Sequence, residues 1–197
     1  PDHEADHELE TIGTLHLLHA CSAAKVSRLV VASSTMLYGP RPDNPQYLSE
    51  AHPLRGHPDA HCVRNRVEME GLVAEWSRKR PDADVTVLRC GWIMGPSFWD
   101  RVVRHFSGAR VTTVLGYDPL LQFVHERDCL DAFEQAVLDR RPGVYNVVAP
   151  GALPLSMLLR RAGKTPLPVP APLLYRLQDL TSRSQTGDPP AAFYDYL

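Results

Sequence analysis

The chain has 197 residues, of which 44% are hydrophobic and 22% are charged, and its formal net charge is −2. These values are typical of a globular protein with a sizeable core and exclude a disordered or fibrous chain. The small net charge gives no electrostatic basis for binding nucleic acid or an acidic membrane surface.

Cysteine usage and hydropathy favour a reducing, cytoplasmic setting. The four cysteines have no C-x-x-C spacing, so neither a zinc knuckle nor a disulfide framework is expected. No apolar run approaches the roughly 20 residues that a membrane span needs, and the acidic start of the sequence is unlike a signal peptide. We therefore expect a soluble cytoplasmic protein without a membrane partner.

The first half of the chain alternates helix and strand. Residues 4–24 form a predicted helix with a broad, largely covered apolar surface, and residues 28–34 form a strand whose continuous apolar run indicates that both faces are buried. A Pro-rich loop over 39–58 follows, and Asp59 is expected to cap a helix over 59–80. The helix face expected to meet the sheet carries Cys62, Arg66, Met69, Val73 and Trp76.

The alternation continues in the second half, with a strand over 84–89, a helix over 126–138 and a strand over 144–148. Strands that alternate with helices predict a parallel α/β fold.

From Pro150 the composition becomes Pro-rich, with short helical stretches at 154–162 and near 173–180. This change in composition indicates a smaller appended lobe. The predicted domains are therefore 1–149 and 150–197.

Five motifs follow one another along the chain. They are Glu10-Thr-Ile-Gly-Thr14, Ser33-Ser-Thr-Met-Leu-Tyr-Gly39, Leu88-Arg-Cys-Gly-Trp-Ile-Met-Gly-Pro96, Phe123-Val-His-Glu-Arg-Asp128 and Gly143-Val-Tyr-Asn146. In this order and spacing they resemble the motifs of the extended short-chain dehydrogenase/reductase family, the nucleotide-sugar epimerase and dehydratase group. The resemblance implies an α/β fold with a Rossmann-type doubly wound parallel sheet and a small C-terminal substrate lobe.

The resemblance also implies NAD or NADP as cofactor. The family binds the cofactor pyrophosphate at a glycine-rich turn, because only glycine lets the backbone approach so closely. No such turn occurs in these 197 residues, so the sheet is expected to be missing its first βαβ units, and the C-terminal lobe is expected to be partial. The choice between NAD and NADP stays open because the discriminating second strand is not present.

The family's catalytic pair is a tyrosine and a lysine four residues later, which project together from one helix face. Alignment on Glu70-Gly-Leu-Val73 places Cys62 and Arg66 at these positions. Arg66 can hydrogen-bond ribose hydroxyls, and Cys62 can act as a base in its thiolate form. The alternative is that Cys62 is a small buried residue and Arg66 a surface or ion-pairing one.

Further site residues follow from the same resemblance. Ser34 falls where the family has a substrate-binding Ser or Thr, and its hydroxyl can donate to a substrate oxygen, or simply cap the strand end. Thr35, Met36 and Tyr38 are expected to face the substrate. Glu10 replaces the family's asparagine near the nicotinamide.

Two later segments complete the expected site. The nicotinamide end of the cleft, or alternatively an ordinary turn, is expected at Cys90, Gly91, Trp92 and Ile93. Cations that could meet a substrate diphosphate, or alternatively form a solvated helix face, are Arg101, Arg104 and His105.

One competing motif, His3-Glu-Ala-Asp-His7, fits the H-E-x-x-H zinc-hydrolase pattern. A third ligand at the metzincin spacing is missing, since that position is Gly13. We therefore expect no metal site.

The sequence predicts an NAD(P)-dependent epimerase, dehydratase or reductase that transfers a hydride at a hydroxyl or keto group of a nucleotide-sugar-like small molecule. The alternative is a pseudoenzyme that serves as a nucleotide sensor or interaction module, because the acid/base pair is altered. The resemblance further implies a homodimer formed through the helices over 4–24 and 59–80.

Overall fold

The computed structural model of the chain describes residues 8–97, 101–181 and 191–196. In chain order the helices are α1 (Gly13–Ala23), α2 (His61–Lys79), α3 (Arg101–Ser107), α4 (Glu126–Leu138), α5 (Leu155–Arg161) and α6 (Ala171–Thr181). The strands are β1 (Arg28–Ser34), β2 (Asp84–Cys90), β3 (Trp92–Met94), β4 (Arg110–Val114), β5 (Leu120–Leu121), β6 (Phe123–His125), β7 (Gly143–Val147), β8 (Leu153–Pro154) and β9 (Thr165–Val169). A π-helical turn covers Glu8–Ile12, and 3-10 turns cover Thr35–Tyr38 and Ala191–Tyr196.

Contacts divide the chain into two units, the first comprising Pro1–Gly91 and Arg127–Val147 and the second Trp92–Glu126 and Val148–Leu197. The first unit contains a parallel sheet in the order β1-β2-β7. Helices connect its strands, as parallel pairing requires. This arrangement confirms the parallel α/β fold expected from the sequence.

The burial expected for the first helix and strand is wrong in part. In the described sheet β1 pairs on one side, with β2, and its residues are mostly half-buried, whereas the central strand β2 is buried over 85–90. On α1 the buried residues are Leu18 and Cys21, which pack into a core with side chains of α2 and β2. Because the opposite side of this first helical segment faces no described element, its remaining large apolar residues are exposed: Leu9, Ile12, Leu15 and Leu17.

Helix α2 differs from its prediction in its cap and in its burial. The N-cap is Ala60, without a side-chain hydrogen bond, so Asp59 lies one residue before the cap, where its backbone N–H donates to Nδ1 of His57 at 3.1 Å. Along the predicted stripe, the three C-terminal members Met69, Val73 and Trp76 are buried in the core. Cys62 and Arg66 are exposed. The first two turns of α2 thus present polar side chains outward while the later turns hold the helix to the sheet.

The second unit has its own apolar core, built from Phe106, Val111, Leu121, Leu155, Leu159, Leu174 and Tyr194. Its strands pair as β3 with β6, β4 with β9, and β5 with β8. The last two pairings join residues 92–126, which the sequence assigned to the first domain, to residues after 148. Strand β9 contains two prolines and pairs with β4 on one side, as proline at a sheet edge permits. No helix in the described ranges has the length and apolarity to cross a bilayer.

Candidate functional site

The carboxyl end of β1 places Ser34 at the start of a tight turn. The Ser34 hydroxyl accepts the backbone N–H of Met36 at 3.2 Å and so caps the turn Thr35–Tyr38. Gly39 closes the turn at φ +80°, where a Cβ atom would lie 2.2 Å from the carbonyl oxygen of Gly56. The position therefore needs glycine. Thr35 and Met36 are half-buried within the turn.

The turn Glu8–Ile12 and helix α2 bring together two residues that are 56 positions apart in the sequence, Glu10 and Arg66. Nε of Arg66 donates to Oε1 of Glu10 at 3.1 Å. The side chains are 49% and 25% exposed, respectively. Glu10 Oε2 is buried and has no hydrogen-bond partner among the described residues. One carboxylate oxygen of Glu10 is thus not hydrogen-bonded by any described group.

Cys62 lies one helical turn before Arg66 and is exposed, unlike the other three cysteines. The alternative in which Cys62 is a buried apolar residue is therefore wrong. The alternative in which Arg66 forms an ion pair agrees with the structure. Helix α2 contacts both the turn that contains Glu10 and the turn that follows Ser34.

A second, buried ion pair lies one turn further along α2. Glu70 receives hydrogen bonds from Arg89 on β2, at 3.1 Å from Nε to each carboxylate oxygen and 2.7 Å from Nη2. The Ser33 hydroxyl also donates to Glu70. The Arg89 and Glu70 side chains are only 7% and 5% exposed. Burial lowers the pKa of Arg89, but the hydrogen bonds to Glu70 and Tyr38 and the charges of these groups together outweigh it and leave the pKa above its ordinary value.

Tyr38, expected to face the substrate, is buried and belongs to the same network. Its hydroxyl accepts from Nη1 of Arg89 at 2.9 Å and donates to Oδ1 of Asn146 at 2.7 Å. Arg89 also donates to the carbonyl of Glu50 at 3.0 Å, and Asn146 donates to the carbonyl of Leu48 at 3.0 Å. The network therefore ties the loop after Gly39 to strands β2 and β7.

Cys90 ends β2 inside the first unit. Its sulfur lies 3.3 Å from the sulfur of Cys129, and both residues are buried. Burial, together with the hydrogen bond to Cys129 and the charge on that group, raises the pKa of Cys90 to about 12. The next residue, Gly91, donates its N–H to the carbonyl of Val147 at 3.0 Å. Cys90 is thus a neutral thiol at neutral pH.

The remaining predicted site residues belong to the second unit. Trp92 and Ile93 lie in β3, half-buried. Arg104 is exposed on α3, and Nε2 of His105 lies 3.1 Å from the carbonyl oxygen of Thr112. Arg101 begins α3, but its side chain is outside the described residues.

The zinc-hydrolase motif, with His3 and His7, also lies outside the described residues. Within the ranges that are described, no group of three or more His, Cys, Asp or Glu side chains could hold a metal ion.

Sequence reasoning missed the buried network and the contact between Glu10 and Arg66. One signal was present, because Arg89 is a charged residue in the apolar run Val87-Leu88-Arg89-Cys90 at the end of a predicted strand, and a charge in such a run requires a partner. Glu70 lies beside the apolar stripe of α2, next to Met69. Neither partner can be assigned from local spacing.

The model of the NAD dependent epimerase/dehydratase family matches residues 2–148. This match confirms the resemblance carried by the motifs. At the level of the family, it also confirms the expected nicotinamide cofactor.

Individual relatives agree with this assignment. An uncharacterised protein of Mycobacterium tuberculosis (strain ATCC 25618 / H37Rv) is 36% identical over 174 residues, which are 88% of this chain and 46% of the relative. A 3-diazoavenalumate denitrifying reductase of a Streptomyces species is 31% identical over 86% of this chain and 58% of its own length. The chain thus spans about half the length of these relatives.

Among solved structures, dTDP-glucose 4,6-dehydratase from Bacillus anthracis str. Ames, in complex with NAD, has a TM-score of 0.69 at 17% identity. The match covers 83% of this chain and 56% of that one. At this identity the likeness demonstrates the fold, and it confirms the Rossmann-type class predicted from the motifs.

Proposed function

The chain belongs to the NAD dependent epimerase/dehydratase family, and from this premise we propose that it carries the ribose-holding and substrate-orienting side chains of an NAD(P)-dependent enzyme. The enzyme acts on a hydroxyl or keto group of a nucleotide-sugar-like molecule. The observation that carries the proposal is the ion pair of Arg66 with Glu10 on the exposed part of α2. When bound, the nicotinamide cofactor supplies or accepts the hydride.

The donor set of this pair fits the hydroxyls of a ribose. Nε of Arg66 is bound to Glu10, which leaves the two terminal nitrogens without a partner in the described part of the chain. Glu10 Oε2 likewise has no partner there but is buried, so the accessible part of this side chain, which is 25% exposed, lies elsewhere. A sugar hydroxyl both accepts and donates, so a guanidinium and a carboxylate side by side can satisfy both functions. An arginine at the lysine position is therefore compatible with ribose binding.

Ser34 is proposed to orient the substrate oxygen. Its hydroxyl oxygen already accepts the Met36 N–H, which leaves the hydroxyl hydrogen to donate outward. The carboxyl ends of parallel strands are also where open α/β sheets bind their ligands. Cys62, exposed and one turn before Arg66, is proposed to exchange the proton with the substrate oxygen.

A second candidate, a pseudoenzyme that binds the nucleotide without turnover, is favoured by the carboxylate of Glu10. Its negative charge offsets the positive charge of Arg66. In the family's catalytic pair, the lysine places a positive charge beside the tyrosine that exchanges the proton. A homodimer, the domain division at 149 and 150 and a cytoplasmic location remain predictions.

The two candidates are separated by measuring binding and turnover in the same preparation of the full-length protein. NADH and NADPH are titrated by calorimetry, and nicotinamide absorbance is followed with a panel of nucleotide sugars. Because one relative is named as a reductase of 3-diazoavenalumate, that compound is a further test substrate.

The enzyme proposal predicts binding, turnover of at least one substrate, and a loss of turnover in Ser34→Ala and Cys62→Ser. Ser97→Ala, an exposed serine of the second unit, is the control. Binding without turnover would favour the pseudoenzyme, and the absence of binding would contradict both.

A further inference from the structure

The buried pair of Glu70 and Arg89 lies between the two segments that carry the proposed site. Ser33, which donates to Glu70, is the residue immediately before Ser34. Glu70 is itself four residues after Arg66, one turn along the same helix. Ser34 and Arg66 therefore each have a near neighbour in the same hydrogen-bonded group.

The guanidinium of Arg89 holds this group from β2. In the parallel register Arg89 is paired with Ser33. It contacts both oxygens of Glu70, at 3.1 Å and 2.7 Å. Two-pronged contact of this kind fixes the plane of a carboxylate as well as its position. The orientation of Glu70, and with it the Ser33 hydrogen bond, is set by the strand.

The same guanidinium holds the other end of the turn that Ser34 begins. Nη1 of Arg89 donates to the Tyr38 hydroxyl at 2.9 Å, and that hydroxyl donates to Asn146 at 2.7 Å. Arg89 thus holds the turn between Ser34 and Tyr38 at both ends. At the first end it acts through Glu70 and Ser33, and at the second it donates directly to Tyr38.

The burial of Glu70 and Arg89 indicates that this ion pair fixes local geometry as well as contributing to stability. Taking an ion pair out of water is costly, and apolar residues of similar volume often serve equally well for stability. Here both side chains are below one-tenth exposed, and their contacts converge on residues that flank the proposed site. We propose that Glu70, held by Arg89, is a positioning residue that sets the spacing between the carboxyl end of β1 and the exposed turns of α2.

The inference rests on the proposed function for the identity of the site residues, but its test needs neither cofactor nor substrate. Cys62 is the exposed cysteine, and the other three are buried. A nitroxide label can therefore be attached at Cys62, with a second label at Thr35→Cys in the turn after Ser34. Electron paramagnetic resonance then reports the distance distribution between α2 and the turn.

The primary variant is Ser33→Ala, which removes one hydrogen bond to Glu70 and keeps the ion pair, so that the protein still folds. The distance distribution is expected to broaden or shift in this variant. Ser33→Thr, which retains the hydroxyl, is expected to restore the parent distribution. The matched control is Thr86→Val, which removes a buried hydroxyl that donates to the carbonyl of Arg141 at 2.9 Å, at the opposite end of β2.

A distribution in Ser33→Ala that equals those of the parent and of Thr86→Val would overturn the positioning role. So would equal broadening in Ser33→Ala and Thr86→Val, because it would indicate a general loss of stability. Neither result bears on cofactor binding, so failure of this inference is distinguishable from failure of the proposed function.

Discussion

Helix α2 contributes one residue to each of two Glu–Arg pairs, one turn apart, and the pairs have opposite surroundings. The inner pair, Glu70 with Arg89, is almost fully buried and its polar atoms are occupied by Ser33, Tyr38 and each other. The outer pair, Arg66 with Glu10, is partly exposed and makes one hydrogen bond at 3.1 Å. The inner pair therefore cannot change partners without leaving a buried charge unpaired, whereas the outer pair is partly accessible to solvent.

The largest expected effect comes from breaking the inner pair. Glu70→Gln leaves Arg89 as a buried charge without its counter-ion, and removal of one partner of such a pair typically costs about 3–5 kcal/mol of unfolding free energy. Urea unfolding followed by circular dichroism measures this cost. Glu75→Gln, which removes an exposed carboxylate paired with Lys79 on the same helix, should unfold like the parent. Equal urea midpoints for Glu70→Gln and Glu75→Gln would contradict the claim that the buried pair contributes more to stability than an exposed one.

A smaller loss is expected at the edge of the inner network. Tyr38→Phe leaves Asn146 Oδ1 without its donor and removes one acceptor of Arg89, and an unsatisfied buried polar group costs about 1–3 kcal/mol. Tyr47→Phe, which alters an exposed tyrosine, is the matched control in the same unfolding experiment. If the two phenylalanine variants have the same stability, the Tyr38 hydroxyl contributes nothing to the network.

Alkaline pH offers a further way to probe the interior. The pKa of Cys90 is raised from the ordinary thiol value of 9.0 to about 12, so the folded protein keeps a proton that the unfolded chain releases. Its contribution to stability is thus fully present below pH 9 and is lost as the pH rises toward 12. Unfolding midpoints over this range should fall less in Cys90→Ala than in the parent. Val85→Ala, which truncates a buried side chain of the same strand that does not titrate, should retain the parent's slope, and an identical slope in Cys90→Ala would contradict the assignment.

The smallest effect on stability is expected from the outer pair. Arg66→Ala removes a half-exposed ion pair, and such pairs contribute about 0–1 kcal/mol. The urea midpoint should stay close to that of Arg78→Ala, an exposed arginine in the last turn of the same helix. A loss as large as that of Glu70→Gln would show that the two pairs do not differ as described.

The contrast also explains what the sequence could and could not predict. Helix α4 has the predicted bounds, and β1, β2 and β7 differ from their predictions by at most one residue at each end, because long periodic or apolar segments determine their own structure. Strands β5 and β8 have two residues each, and pairing creates them rather than local preference.

The site was predictable only in part, for the same reason. The order of motifs identified the family and marked Ser34, and alignment on Glu70-Gly-Leu-Val73 placed Cys62 and Arg66 at the positions of the catalytic pair. The contacts that give these residues their surroundings join positions 56 and 37 residues apart, as in Glu10 with Arg66 and Ser33 with Glu70. Such pairs depend on how the helices pack, and no local period encodes them.

The most direct test of the central claim, that the outer pair is the one that meets a ligand, is a double-mutant cycle on cofactor affinity. NADH, or NADPH if it binds more tightly, is titrated into the parent, Arg66→Ala, Glu10→Gln and the double variant. The account predicts a loss of about tenfold in Arg66→Ala, equivalent to about 1.4 kcal/mol, and a double variant that is little worse, because the two side chains act together. Parent-like affinity in Arg66→Ala, equal to that of Arg78→Ala, would contradict it.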